Sequence, residues 1–316
     1  MDALHQVPHL LLMIDPGENV SFFETLRQIL DPHFLLRNSV YVGVLVGLAC
    51  PLAGVYLILR RLVFMGVALP QISSAGIAFA FSLPALGVMS HMHAGHFEGD
   101  ERLLAFVGGL SFTLAGILFL AIMERRGRGS VEGRIGTIYA LAGAWSILLL
   151  VKNPTGERGL LDLLRGEIIA VPDVELWLTL ATFIVVVFAL FLFNKEFILV
   201  SFDRDMAITL KKNVLVWDCL LFLLIGLTIS VSVLSVGPLV TFGFALIPPL
   251  TAHLFARNMG QFSLIASAIG GVSALAGFWL AYRLDYPVGP TDVALLGALY
   301  AFCFCLKKLQ GFFSRR

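Results

Sequence analysis

Residues 60–83, RRLVFMGVALPQISSAGIAFAFSL, open with two arginines and continue as an apolar run that carries Pro70, Gln71, Ser73 and Ser74. About 20 apolar residues, at 1.5 Å of rise each, cross the roughly 30 Å hydrocarbon layer of a bilayer, so the stretch has the length of a membrane span. Pro70 has no N–H to give the carbonyl of Gly66, and its ring crowds that carbonyl, which predicts a kink or an opening at this point. Gln71, Ala75, Ala78 and Ser82 share one small, polar helix face with Ser74 alongside, while Ile72, Ile77, Phe79 and Phe81 project elsewhere. Exposed amides and freed carbonyls cost several kcal/mol in lipid, so this face must turn toward other helices or toward a water-filled route. The polar residues then either join neighbouring helices by hydrogen bonds, or line a translocation path as discontinuous helices do.

The rest of the chain repeats the apolar theme. Hydrophobic residues make up 58% of the 316 positions, charged residues 14%, and the mean hydropathy is +0.90, more apolar surface than one soluble core can hide. Nine apolar runs are long enough to cross, near 38–59, 66–90, 103–123, 134–151, 175–194, 214–234, 237–255, 262–282 and 290–306. The expected fold is an all-α, polytopic membrane bundle of about eight or nine spans, the count depending on whether the hairpin at 234–238 crosses fully. Alternate sides carry 15 and 7 of the 22 Lys and Arg residues, and positive residues stay cytoplasmic, so the N-terminus is expected outside and the C-terminus inside. Residues 1–37 then form an extracytoplasmic segment, 38–306 the membrane domain and 307–316 a basic cytoplasmic tail. The first 33 residues contain Asp2, Asp15, Glu18, Glu24 and Asp31 and lack a signal-peptide pattern. The stretches 18–33 and 152–175 have the spacing of helices lying on the membrane surface.

A second interrupted region, SVGPLVTFGFALIPPLTAHLF (235–255), puts Gly237–Pro238 at an outer turn and Pro248–Pro249 about three helical turns further on. The cysteines at 50, 219, 303 and 305 have no metal-ligand spacing and read as small packing residues. No basic tract resembles a nucleic-acid footprint. No GxxxxGK[ST] phosphate loop occurs, so any ATP is used by another chain.

Six stretches in order, VGVLVGLACPLAGVYLILRRLVFMG (42–66), GRIGTIYALAGAWSILL (133–149), LLRGEIIAV (163–171), LVSFDRDMAITL (199–210), SVGPLVTFGFALIPPLTAHL (235–254) and AYRLDYPVGPT (281–291), resemble the ABC-3 permeases of bacterial zinc, manganese or iron importers. The resemblance spans about 250 residues. It implies a non-enzymatic permease of the bacterial cytoplasmic membrane that pairs with a second copy. Cytoplasmic ABC ATPase subunits would hydrolyse the ATP, an extracytoplasmic protein would deliver the solute, and a divalent metal ion would be cargo rather than a bound cofactor. The stretch FDRDMAITL is similar to the family segment FDxExAxxxG, which implies that Asp203, Arg204, Asp205, Met206 and Ala207 meet the ATPase. Lys211 stands where the family has Gly.

The resemblance also places Pro70, Gln71 and Ser74 on the translocation path, with Glu132 near the family's acidic position before the fourth span. Here the chain departs from the family: GDALSHA, with Asp and His four residues apart on one face, is replaced by a register with Val67 and Gln71 at those positions. Valine ligates nothing, and a neutral amide oxygen binds zinc poorly. The path therefore passes metal by transient contacts, or the substrate is chelated or not a metal. HMHAGHFEGDE (91–101) keeps a metal reading open, because His91, His93 and His96 suit late first-row ions; an ordinary hydrophilic loop is the alternative. A secondary transporter would need acidic residues within the membrane, for which only Asp218 and Glu132 qualify. An intramembrane hydrolase would need a convergent motif such as HExxH, and none occurs.

Overall fold

The computed structural model describes residues 36–83, 98–125, 131–151 and 171–313. Among them there are ten helices and no strand: α1 (Arg37–Leu59), α2 (Val63–Ser82), α3 (Glu98–Arg125), α4 (Val131–Val151), α5 (Asp173–Leu192), α6 (Asn194–Phe202), α7 (Arg204–Thr209), α8 (Val214–His253), α9 (Met259–Leu284) and α10 (Val288–Phe313). Seven regions have the length and apolar composition of membrane spans, each in α1, α2, α3, α5, α8, α9 or α10. The surface-helix expectations at 18–33 and 152–170 lie outside the described residues, as does the histidine-rich stretch at 91–97.

The 40-residue α8 is two helices joined at Gly237, whose φ of 82° and ψ of 167° fall outside the helical region. A straight helix would hold Asp218 and Pro249 about 46 Å apart. Instead Asp218 pairs with Arg60, while Pro249 packs beside Gly54, only six residues away on α1. The chain therefore folds back on itself at Gly237, and both ends of α8 emerge at the same end of the bundle. Glycine meets the positive φ without strain, and Pro238, just beyond, needs no N–H partner. The apex is buried, and Ser235 meets Thr179 on α5, about 9 Å along that helix from Asp173. So the two apolar runs 214–234 and 237–255 form a hairpin that enters from one end and turns inside the protein.

Around this hairpin, α1 packs on α5, α8 and α9; α2 packs on α3, α4 and α8; and α10 covers α8 and α9. Glycines let backbones approach where side chains would hold them apart. A Cβ on Gly54 would lie 1.7 Å from the Ala245 carbonyl oxygen, one on Gly47 2.7 Å from that of Gly270, and one on Gly76 2.4 Å from that of Gly108. Outward-facing Leu118, Trp177, Val185, Phe191, Leu264 and Val272 are each more than half exposed, which suits contact with lipid.

The expected opening at Pro70 is not seen: α2 continues through it from Val63 to Ser82. Losing one hydrogen bond costs less than unwinding a turn in a medium where every freed peptide group needs a partner.

Sidedness is consistent within the bundle. Asn38 donates to the Val171 carbonyl (3.0 Å) and to Asp173 (2.7 Å) at one end. At the other end Arg60 meets Ser201 and Asp218, Lys212 pairs with Glu196 (3.8 Å), and Lys307 donates to the Leu254 carbonyl. Arg60, Lys212 and Lys307, three of the cations expected inside, thus share one end.

A tight turn at this end explains a sequence choice. The amides of Lys211 and Lys212 donate to the carbonyls of Ile208 and Ala207 (2.9 and 3.0 Å), the double bond of a Schellman motif that closes α7. Lys211 takes the left-handed position, at φ 56°, that a glycine fills without cost. The family glycine at this position therefore has a backbone reason. Lys211→Gly is expected to stabilise the protein by about 1 kcal/mol, read as a higher melting temperature in detergent.

Candidate functional site

The face read from residues 71–82 turns inward. Ser74, Ala75, Ala78 and Ser82 are buried, and Ser73 is buried against Gly109 of α3. Gln71 is half-buried, and its amide nitrogen lies 3.2 Å from where a Cβ of Gly143 on α4 would stand. Val67, one turn earlier on the same side, is also half-buried, and Pro70 is buried. Val67 and Gln71 thus form a half-buried strip, with Gln71 beside α4, while the exposed side chains of α2 are Phe64 and Phe79. Glu132 is exposed in the first turn of α4, eleven residues before Gly143, or about 16 Å along the helix. The fold does not bring it to Gln71.

Sequence reading missed a line of buried hydroxyls through the centre. Thr228, Ser230, Ser232 and Ser235 on α8 reach toward three other helices: Ser230 donates to Thr113 on α3 (3.2 Å), Ser232 lies 3.0 Å from the Cys50 thiol on α1, and Ser235 lies 3.1 Å from Thr179 on α5. Several also bond carbonyls one turn back, as in Thr228 to Leu224 (2.8 Å) and Ser232 to Thr228 (2.7 Å), the usual way a hydroxyl is satisfied in a membrane helix. The near-alternation in TISVSVLS (228–235) was the available signal.

Asp292 follows YPVGPT near the start of the apolar run 290–306 and drew no role from the sequence. It lies in the second turn of α10 and is 2% exposed. Its carboxylate fills the space beside Gly277 of α9: a Cβ there would come within 1.8 Å of Oδ1. Of the two acidic residues considered for the membrane, Asp218 is engaged by Arg60 and Glu132 is exposed. Among the described residues, no group of three or more His, Cys, Asp or Glu side chains converges as a metal site would.

The segment after α5 forms a distinct unit at the cationic end. Asp203 links α6 to α7 and caps α7 by accepting the Met206 amide (2.8 Å). Ala207 is fully buried against Val200 and Val214. Met206, Ile208 and Leu210 are each more than half exposed, and Asp205 is also exposed, so a short, capped helix presents an apolar surface with acidic residues beside it.

This re-entrant architecture has known counterparts. The sequence profile of the ABC 3 transport family matches residues 33–307. The chain belongs to this family. Curated ABC 3 relatives include the manganese import system permease protein ScaB of Streptococcus gordonii, 24% identical over 93% of this chain and 98% of its own length. Another is the manganese transport system membrane protein MntC of Listeria monocytogenes, 26% identical over the same shares. Among solved structures, PsaBC from Streptococcus pneumoniae in complex with Fab superposes with a TM-score of 0.76 at 22% identity, covering 90% of this chain and 95% of that one, which supports the fold. The chain is therefore a multi-pass membrane permease of the ABC 3 transport family, and its role is transport.

Proposed function

We propose that this ABC 3 permease is the membrane subunit of an importer in the bacterial cytoplasmic membrane, moving a divalent metal ion such as manganese, zinc or iron inward. Separate ATPase subunits hydrolyse ATP at the Arg60 end, which faces the cytoplasm. A solute-binding protein delivers cargo at the Asn38 end, and a second copy of the chain completes the path. The observation that carries this reading is α7. A six-residue helix held by its own cap, with its buried side anchored and Met206, Ile208 and Leu210 presented outward, is built to enter a groove on another protein. Arg60, Lys212 and Lys307 at the same end support the orientation, and the two relatives named for manganese support the cargo.

Within the membrane, cargo passes the Val67–Gln71 strip of α2 beside α4, with Pro70 and Ser74 behind it. Gln71 offers a neutral amide oxygen for brief contact. Glu132 serves as an entry or exit charge at the end of α4, and His91, His93 and His96 collect ions before delivery. A second reading, in which the cargo is a chelate or not a metal, is favoured by one observation: the described residues converge on no metal-ligand cluster.

The test is uptake by vesicles containing the permease, its ATPase and its solute-binding protein, assayed with Mn2+, Zn2+ and Fe2+ separately. ATP-dependent accumulation of one of them supports the reading; ATP-dependent transport of none overturns the metal assignment. Because the strip lacks ligands, purified protein should bind Mn2+ or Zn2+ weakly, and Val67→Asp with Gln71→His should tighten binding about tenfold or more, measured by titration calorimetry. Tight binding by unaltered protein that survives loss of His91, His93 and His96 would place the site elsewhere.

A further inference from the structure

We infer that Arg60 is the joint through which movement of the ATPase-facing segment reaches the path-lining helix α2, an inference that rests on the function proposed above. Arg60 is the residue at which α1 ends. The turn behind it is closed by the amides of Arg61 and Leu62 on the carbonyls of Ile58 and Leu57 (2.9 and 2.8 Å), with Arg61 held left-handed at φ 57°, and α2 starts at Val63. A turn so closed moves as one piece with the helices it joins. Its guanidinium leaves this turn and grips two other elements. Nε donates to the Ser201 hydroxyl at the end of α6 (3.0 Å), and Nη1 donates to Asp218 in the second turn of α8 (2.7 Å). The guanidinium carbon also lies 5.3 Å from the centre of the Phe222 ring.

The grip is mostly out of water, with the side chains of Arg60 and Asp218 11% and 13% exposed. One turn earlier, Tyr56 donates to Asn194 at the start of α6 (3.0 Å) and sets its ring edge on Phe197. The nine-residue α6 is therefore tied to α1 at both of its ends, and Ser201 stands two residues from Asp203, the cap of α7.

Geometry then decides what can move independently. A displacement of α7 passes through Asp203 to Ser201, and from Ser201 and Asp218 through Arg60 into the α1–α2 turn. Gln71 lies eleven residues further on, about two turns into α2. Only a planar, forked cation can hold Ser201 and Asp218 together; lysine presents a point charge and keeps the ion pair but not the bridge. Arg60 is thus a positioning residue, distinct from the surface that docks the ATPase and from the strip that meets cargo.

The experiment measures ATP hydrolysed per Mn2+ transported in vesicles holding the permease, its ATPase and its solute-binding protein. Arg60→Ala is expected to raise this ratio about tenfold, with the rate of hydrolysis held within about twofold. Arg60→Lys and Ser201→Ala should each raise it by a few-fold, and the exchanged pair Arg60→Asp with Asp218→Arg should lower it again relative to Arg60→Asp alone. Hydrolysis and uptake falling together in Arg60→Ala, in proportion to a lowered melting temperature, would assign Arg60 a merely structural role and overturn the inference. If Arg60→Ala does not fold, an unchanged ratio in both Arg60→Lys and Ser201→Ala overturns it equally. Absence of ATP-driven uptake with unaltered permease would instead defeat the proposed function, a result separable from any ratio among the variants.

Discussion

Gly54→Val is expected to leave little permease that survives detergent extraction as a single species. A side chain at this position would meet the Ala245 carbonyl oxygen and carbon at 1.7 and 2.7 Å, both backbone atoms of the inner hairpin. Overpacking ordinarily costs about 1–3 kcal/mol because side chains can shift. Backbone atoms cannot turn aside, so α1 and α8 would have to separate along their length and forfeit the contacts around Cys50 and Ser232. Gly43→Val is the internal control: it lies on the same helix, with nothing within 4 Å of its added Cβ. The yield of monodisperse protein on size-exclusion chromatography should fall about tenfold or more for Gly54→Val and little for Gly43→Val. Equal yields would show that the helices do not approach this closely.

The second large effect is expected at the proposed docking helix. Replacing Asp203 and Asp205 together by lysine should reduce ATP-driven uptake to near background while the protein remains inserted and its hydrolytic partner remains active on its own. Two effects combine in that variant, because Asp203 both carries charge and caps α7, and loss of a cap costs about 1 kcal/mol. For a helix of six residues that is enough to loosen it. Asp203→Asn with Asp205→Asn separates the two effects, since asparagine accepts the same amide hydrogen bond without the charge. Uptake retained in the asparagine pair and lost in the lysine pair would point to charge compatibility with the partner. Loss in both would make the negative charges themselves essential, and retention in both would remove the segment from coupling. The measurement is initial uptake rate at matched amounts of inserted permease.

Much of the fold could be read from residues alone, for a physical reason: an apolar run of about 20 residues has few uses other than crossing a bilayer. The run 38–59 became α1 almost to the residue, and Arg60, Lys212 and Lys307, expected on one side, share one end. The place of α7, proposed above to dock the ATPase, was also marked in the sequence by its charges and its position among the ordered stretches. What periodicity cannot convey is which helix a given face meets. Gly54 and Ala245 are 191 positions apart, and Arg60 finds Asp218 across 158, so neither pairing leaves a local trace. Of the kink or opening expected at Pro70, the opening did not form because unwinding in lipid costs more than the one lost hydrogen bond. Asp292 went unremarked because a carboxylate beside a turn motif carries no local mark of burial until its glycine cradle on another helix is visible. Gln71 and Glu132 share an argument from resemblance but not a neighbourhood.

The doubling back at Gly237 has a topological consequence. Since residues 214–253 enter and leave through the same face, this pair of apolar runs counts as no net crossing, and whatever precedes Val214 shares an aqueous compartment with whatever follows His253. Reporter domains attached at Leu210 and at Arg257 should therefore signal the same side of the membrane. A single thiol installed at the bend should resist water-borne maleimide from either side, because the loop there opens onto neither bath.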